Sequence, residues 1–206
     1  MDNVFEYRGA ADLVYAEITK DTSDEFTFGT VKELAGLAKV SKKTNSSSKT
    51  MYYDNKAAGT INSTGADDIT LDVSGIPMDT LADITGQYFD STTGMMVEQE
   101  RTTKYFALGY KTKNTNGEEI YVWRLKGTFA IPDQENATEN DGTDSNGQSL
   151  SYTGIFTVHK FTKNGGKSAK AVNVNITEDK ISASAIENFF STVQTPDSIT
   201  PKTPTV

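Results

Sequence analysis

The chain has 206 residues and a mass of 22.4 kDa, with 20 Lys and Arg against 28 Asp and Glu, one His and no Cys, giving a net charge of −8. That length suits one or two domains able to bury their own core, and the missing cysteines exclude disulfide scaffolds, thiolate zinc sites and cysteine nucleophiles. The acidic balance argues against affinity for DNA or RNA, no apolar run nears the ~18–20 residues of a bilayer span, and the opening MDNVFEYRGAADL lacks the basic-then-apolar order of a signal peptide.

The 29 Thr, nine Tyr, ten Phe and sixteen Gly suit pleated strands joined by turns, so an antiparallel β domain is expected. In chain order, period-two alternation predicts strands over Leu13 to Ile18, Ile69 to Val73, Tyr105 to Tyr110, Ile120 to Leu125, Ile155 to Phe161 and Val172 to Ile176. Asn116-Gly117 predicts a hairpin between the third and fourth of these, and Asn164-Gly165-Gly166 a second between the fifth and sixth. Pro77 to Thr85 reads as a short amphipathic helix closed by Gly86. Ile181, Ala185, Ile186, Phe189, Phe190 and Val193 form one helical stripe behind acidic Glu178 and Asp179. Three stretches read as loops or tail: Ser41 to Thr50, the acidic Pro132 to Ser149, and Pro196 to Val206, which holds three of the five prolines.

Enzyme motifs fail one at a time. His159 is the only histidine and lies inside an alternating run, so it reads as a strand residue. Gly165-Gly166-Lys167-Ser168 resembles the end of a phosphate loop but has Phe161 where that motif needs Gly, and a strand behind it instead of a helix. A calcium loop in Asp141 to Gly147 would begin at Gly142 and end at Thr153, where carboxylates are required. Asp67-Asp68 and Glu118-Glu119 are adjacent, so in a strand each pair points to opposite faces and gives no acid/base couple. The sequons at Asn45, Asn62, Asn136 and Asn175 are chance products of an Asn- and Thr-rich chain. No catalytic residue, metal or cofactor is expected.

A set of segments in order carries a resemblance: Gly9 to Ala16 (GAADLVYA), Phe28-Gly29-Thr30, Leu34-Ala35-Gly36, Tyr52-Tyr53-Asp54-Asn55 and, most strongly, ALGYKTKNTNGEEIYVWRLKGTFAIP at 107–132. An acidic stretch around Thr138, a strand at Leu150 to Val158 and a helix ending before Pro196 follow. Together they cover the chain to about residue 195, and the arrangement resembles the major tail proteins of long, non-contractile-tailed bacteriophages of Gram-positive hosts.

The resemblance implies a mainly β fold with one or two short helices, a β-sandwich or split barrel of the tail-tube type with long loops or arms. Residues 1–195 would form the tube domain and 196–206 a flexible Thr/Pro-rich tail. It implies self-assembly into stacked, hexameric rings in the virion tail, built in the bacterial cytoplasm. The partners would be further copies, the tape measure protein and the tail terminator or distal tail proteins, with DNA passing unbound and no membrane anchor. Six copies at −8 each would give a ring of −48, repelling phosphates within a Debye length of ~8 Å. In that setting Ser41 to Thr50, with Lys39, Lys42, Lys43 and Lys49 and flanked by Tyr52 and Tyr53, would be an arm reaching the neighbouring ring. The stripe of Phe189, Phe190 and Val193 would lie in the core or at a subunit boundary. The competing reading is a non-enzymatic β-sandwich that binds carbohydrate or a surface receptor, for which Trp123, inside a predicted strand, is poorly placed.

Overall fold

A strand with apolar side chains on both faces needs a surface on each side to bury them, and this chain supplies both. A computed structural model describes residues 4–134 and 147–203. Eleven strands appear among them: β1 (Tyr7–Asp21), β2 (Phe26–Phe28), β3 (Lys32–Glu33), β4 (Leu37–Tyr53), β5 (Lys56–Val73), β6 (Tyr88–Asp90), β7 (Met95–Val97), β8 (Phe106–Asn114), β9 (Glu119–Phe129), β10 (Gln148–Gly154) and β11 (Ala171–Asn175). Two short helices, α1 (Met78–Thr85) and α2 (Ala183–Glu187), complete a mainly β chain, as expected.

Nine of the strands form one antiparallel sheet in the order β2-β1-β8-β9-β10-β5-β4, with β3 added to β1 and β11 to β9; β6 and β7 pair apart. The sheet curls until β1 and β4 meet, yet they share no ladder, so it stays unclosed. One edge of β9 serves two strands. Its first half, Ile120 to Arg124, pairs with β11, and its second, Gly127 to Phe129, pairs with β10.

β1, β8 and β9 are covered on both faces. Leu13, Tyr15, Phe106, Leu108, Tyr110 and Val122 face the inside of the curl, where Ile69, Leu71, Phe129, Leu150, Tyr152 and Ile84 of α1 meet them. Their alternate neighbours Val14, Ala16, Ala107, Trp123 and Leu125 face the opposite core with Phe161, Phe189 and Val193. Each fully buried large side chain contributes about 1.5–3 kcal/mol.

The Asn116-Gly117 hairpin joins β8 to β9 as expected, with Gly117 at φ +85° and the Asn114 side chain accepting from the amides of Asn116 and Glu118 at 3.0 and 2.9 Å. Helix α1 also matches its expectation and stops at Gly86, whose φ of +71° and close approach to the Thr102 carbonyl leave no room for a Cβ. At Gly127 the crowding comes from packing: an added Cβ would lie 2.4 Å from both the Thr153 oxygen and the Tyr152 ring. Gly127→Ala is therefore expected to lower stability by about 1–3 kcal/mol, read from the urea midpoint, because β10 must shift to admit one methyl.

Four expectations are corrected. Ile155 to Phe161 is not a strand: its alternation is real, but the amides of Val158 and His159 donate to the Asp21 carboxylate at 2.9–3.0 Å rather than to a neighbouring strand. The Asn164-Gly165-Gly166 turn exists, with both glycines at positive φ, but closes only a Phe161 to Lys167 bridge, and β11 runs on to pair with β9. The long C-terminal helix shrinks to α2, capped by Ser182. Its Ser-, Asn- and Thr-rich continuation is a poor helix former, and the carbonyl of Phe189 accepts from Trp123. The stretch from residue 196, expected as a free tail, is attached over its described part: Asp197 accepts from the amides of Thr162 and Lys163, and Pro201 bridges to Ile181. The acidic stretch at 135–146 lies outside the described residues.

Candidate functional site

Ser41 to Thr50, expected as a loop, is the middle of β4. The run reads as coil because it has no apolar residue, but the backbone needs only a partner strand, and β5 supplies one from Leu37↔Val73 to Tyr53↔Lys56. The turn is Asp54-Asn55, at φ +50° and +61°. Two consecutive left-handed residues define the type I′ turn that matches strand twist, and Asp and Asn tolerate it better than other side chains. That dipeptide was a hairpin signal missed in the sequence.

Only the base of this hairpin belongs to the sheet, since β10 pairs with β5 over Asp67 to Val73 and no further. Beyond it the two strands form a free ribbon in which every residue from 45 to 65 is exposed except Met51 and Gly59. At ~3.3 Å per residue the ribbon projects by roughly 30 Å. It carries Lys49 opposite Ile61 and ends in Tyr52 and Tyr53, 67% and 64% exposed. An isolated two-stranded hairpin is marginal in water, so this one is suited to be held by another surface. The lysines also guard β4, whose outer edge has no partner strand among the described residues, against indiscriminate strand addition.

The predicted arm lysines separate. Lys49 travels with the ribbon and Lys43 faces Asp68 across the ladder, while Lys39 and Lys42 border a cleft of about 760 Å³ at the unclosed seam between β1 and β4. There the fold brings them together with Arg8 of β1 and Arg124 of β9, two cations the sequence reading did not single out. Arg124 could have been noticed as a charge within an apolar strand run, which must find a partner when buried.

The partner is Asp67, and it is shared. Its side chain is 4% exposed and lies 3.4 Å from Arg124 Nη1 and 2.6 Å from Lys170 Nζ. Burial by itself pushes the Asp67 carboxyl up, but hydrogen bonds from Lys170 and Thr44 and the nearby lysine charges outweigh it and hold it below the usual carboxylate range. Asp68 is exposed on the other face, so the adjacent pair does split as expected.

Phe189 and Val193 are each 1% exposed in the chain's own core, which removes them as boundary residues. Phe190 is half-buried, its ring 5.0 Å from Tyr121 and 6.1 Å from Trp123. His159 packs between Phe26 and Phe161, centroids 6.4 and 5.0 Å away. Trp123 is fully buried and so offers no sugar platform. Among the described residues no group of three or more His, Asp or Glu side chains is placed to hold a metal ion, and no helix is long and apolar enough to cross a membrane.

No protein-family model and no curated protein matches this chain.

Proposed function

We propose that the chain is the structural subunit of a phage tail tube, assembling with copies of itself into stacked rings that form a conduit for the genome. The observation that carries this reading is the free ribbon at 45–65, an element that adds no core to its own domain and leaves its tip tyrosines in solvent. Two further features support it. The sheet is unclosed, with an edge along β4 that is unpaired among the described residues, so lateral contacts have a surface to use, and the net charge of −8 suits a wall along which DNA slides without sticking.

Deleting Ser41 to Ser48 alone would remove one strand of a pair and leave its partner unsatisfied. The better test replaces Ser47 to Ser63, which face each other in the ladder, with Asn-Gly. The shortened protein is expected to keep its far-ultraviolet circular dichroism and thermal transition, and to give no tubes by electron microscopy at concentrations where the parent forms them. Tubes formed equally well by the shortened chain would refute the arm.

A further inference from the structure

The cleft at the base of the ribbon has an imbalance that its own domain does not correct. Four cations border it: Arg8, Lys39, Lys42 and Arg124. Among the described residues Arg8, Lys39 and Lys42 form no salt bridge. Arg124, 9% exposed at its side chain, has an Nε with no hydrogen-bond partner among the described residues, and its bonds to Asp67 and Tyr110 are long, at 3.4 and 3.3 Å. Asp67 itself is already neutralised by the closer Lys170. In a chain of net −8, Arg8 and Lys39 without an ion pair, Lys42 bonded only to the Thr44 hydroxyl at 3.1 Å, and the guanidinium of Arg124 with its long bonds and a free N–H make a site for a carboxylate. Val40, Ile120 and Val122 also line it, so the ligand should join an apolar body to its charge.

The ribbon tip has that composition. Asp54 stands at the turn, exposed, directly after the exposed rings of Tyr52 and Tyr53. It cannot reach the cleft of its own chain, because β4 is extended from Lys39 at the cleft to Tyr53 at the tip, roughly 45 Å at ~3.3 Å per residue. We propose that the cleft receives the ribbon tip of a second copy, the Asp54 carboxylate binding among Arg8, Lys39, Lys42 and Arg124 while a tyrosine ring covers Val40, Ile120 and Val122. This rests on the ribbon being an arm between copies, and names where the arm goes. One copy then offers a tip and a cleft that do not face each other, a head-to-tail contact that propagates instead of closing as a dimer.

The test uses the full chain and avoids Arg124, whose buried side chain also packs against Asp67 and Tyr110 inside the fold. Asp54→Asn removes the charge and keeps a residue suited to the left-handed turn, and Lys39→Glu with Lys42→Glu reverses the rim. Each is expected to raise the concentration needed for polymerisation by roughly tenfold or more while leaving the thermal transition within a few degrees. Because the chain has no Cys, Ala38→Cys with Lys56→Cys places single thiols beside the cleft and at the tip, and neither residue carries the proposed charge contact. Mild oxidation of assembled material should give a ladder of covalent multimers that reduction collapses. Normal polymerisation of Asp54→Asn overturns the assignment. So does loss of assembly in the Lys39→Glu, Lys42→Glu variant without any cross-link, which would put another acidic group in the cleft. If the chain lacking its ribbon assembles, the arm reading itself fails; if only that chain fails to assemble, the arm stands and the cleft is wrong.

Discussion

Trp123→Ala is expected to remove about 3–5 kcal/mol of stability, a large part of the ~5–15 kcal/mol that holds a domain of this kind together. Trp123 is 0% exposed and stands on the middle strand β9, above Gly109, where an added Cβ would come within 3.0 Å of its ring. Its Nε1 donates to the Phe189 carbonyl at 2.8 Å, and its ring lies 6.1 Å from that of Phe190. Alanine would leave a cavity the size of an indole and a buried carbonyl without its donor, two penalties that add. The C-terminal segment, from α2 to the strapped residues beyond 196, should loosen first and become the preferred site of limited proteolysis. Trp123→Phe separates the two penalties, since it keeps most of the ring and loses only the donor, at about 1–2 kcal/mol. Urea unfolding followed by circular dichroism measures both, because the only tryptophan is the residue being changed. A loss under ~1 kcal/mol in the alanine variant would mean that the segment is not held through this side chain.

Asp67→Ala is expected to cost about 3–5 kcal/mol for a different reason. The change leaves two cations, Arg124 and Lys170, 9% and 11% exposed, with no counter-charge. Adding Lys170→Met should recover part of the loss by removing one stranded charge, an interaction that a double-mutant cycle reads directly. Asp21 forms a comparable site, 5% exposed against Lys126 at 2.6 Å, with the amides of Val158 and His159 also donating. Burial pushes the Asp21 carboxyl up, and these donors more than reverse it. Asp83 follows the same pattern, with Lys32 and Lys104 outweighing burial. All three carboxyls are held below the ordinary ~3.9 of an unfolded chain, so the unfolded state binds protons first as pH falls. Their contribution is complete above about pH 5 and is lost as pH drops past ~4 toward the lowered values. The Asp67→Ala variant should therefore show a flatter stability profile between pH 5 and pH 3 than the parent.

What could be read from the sequence was whatever a local signal decides. Asn116-Gly117 specifies its turn through backbone conformation, Gly86 stops α1 for the same reason, and the short, largely apolar runs of β1, β8 and β9 mark strands, their near-continuous burial showing that both faces are covered. Misreadings arose where pairing is decided at a distance. Whether Val158 meets a strand or a carboxylate depends on Asp21, 137 positions away, and β11 pairs with β9 rather than with the strand expected beside it. The ribbon reversed the usual error: a run with no apolar residue suggests no strand, yet the turn residues Asp54-Asn55 and a partner strand paired along its length build one. At the candidate site, the lysines and tip tyrosines were visible as a cluster, but Arg8, Arg124 and Asp67 come together only through the curl of the sheet.

The strand order also sets a timetable for synthesis. The strands of the ribbon are adjacent in sequence and complete by Val73, whereas β1 waits for β8, and β9 is finished only at Phe129. At ~5–20 residues per second, the ribbon's two strands exist for several seconds before the centre of the domain does. Strands rich in Val and Ile would be hazardous in that interval, when neighbouring nascent chains on a polysome could zip together edge to edge. Ser, Thr, Asn and Lys make these strands poor aggregators, so the composition that disguised them as a loop also keeps the newborn chain single until its body has formed.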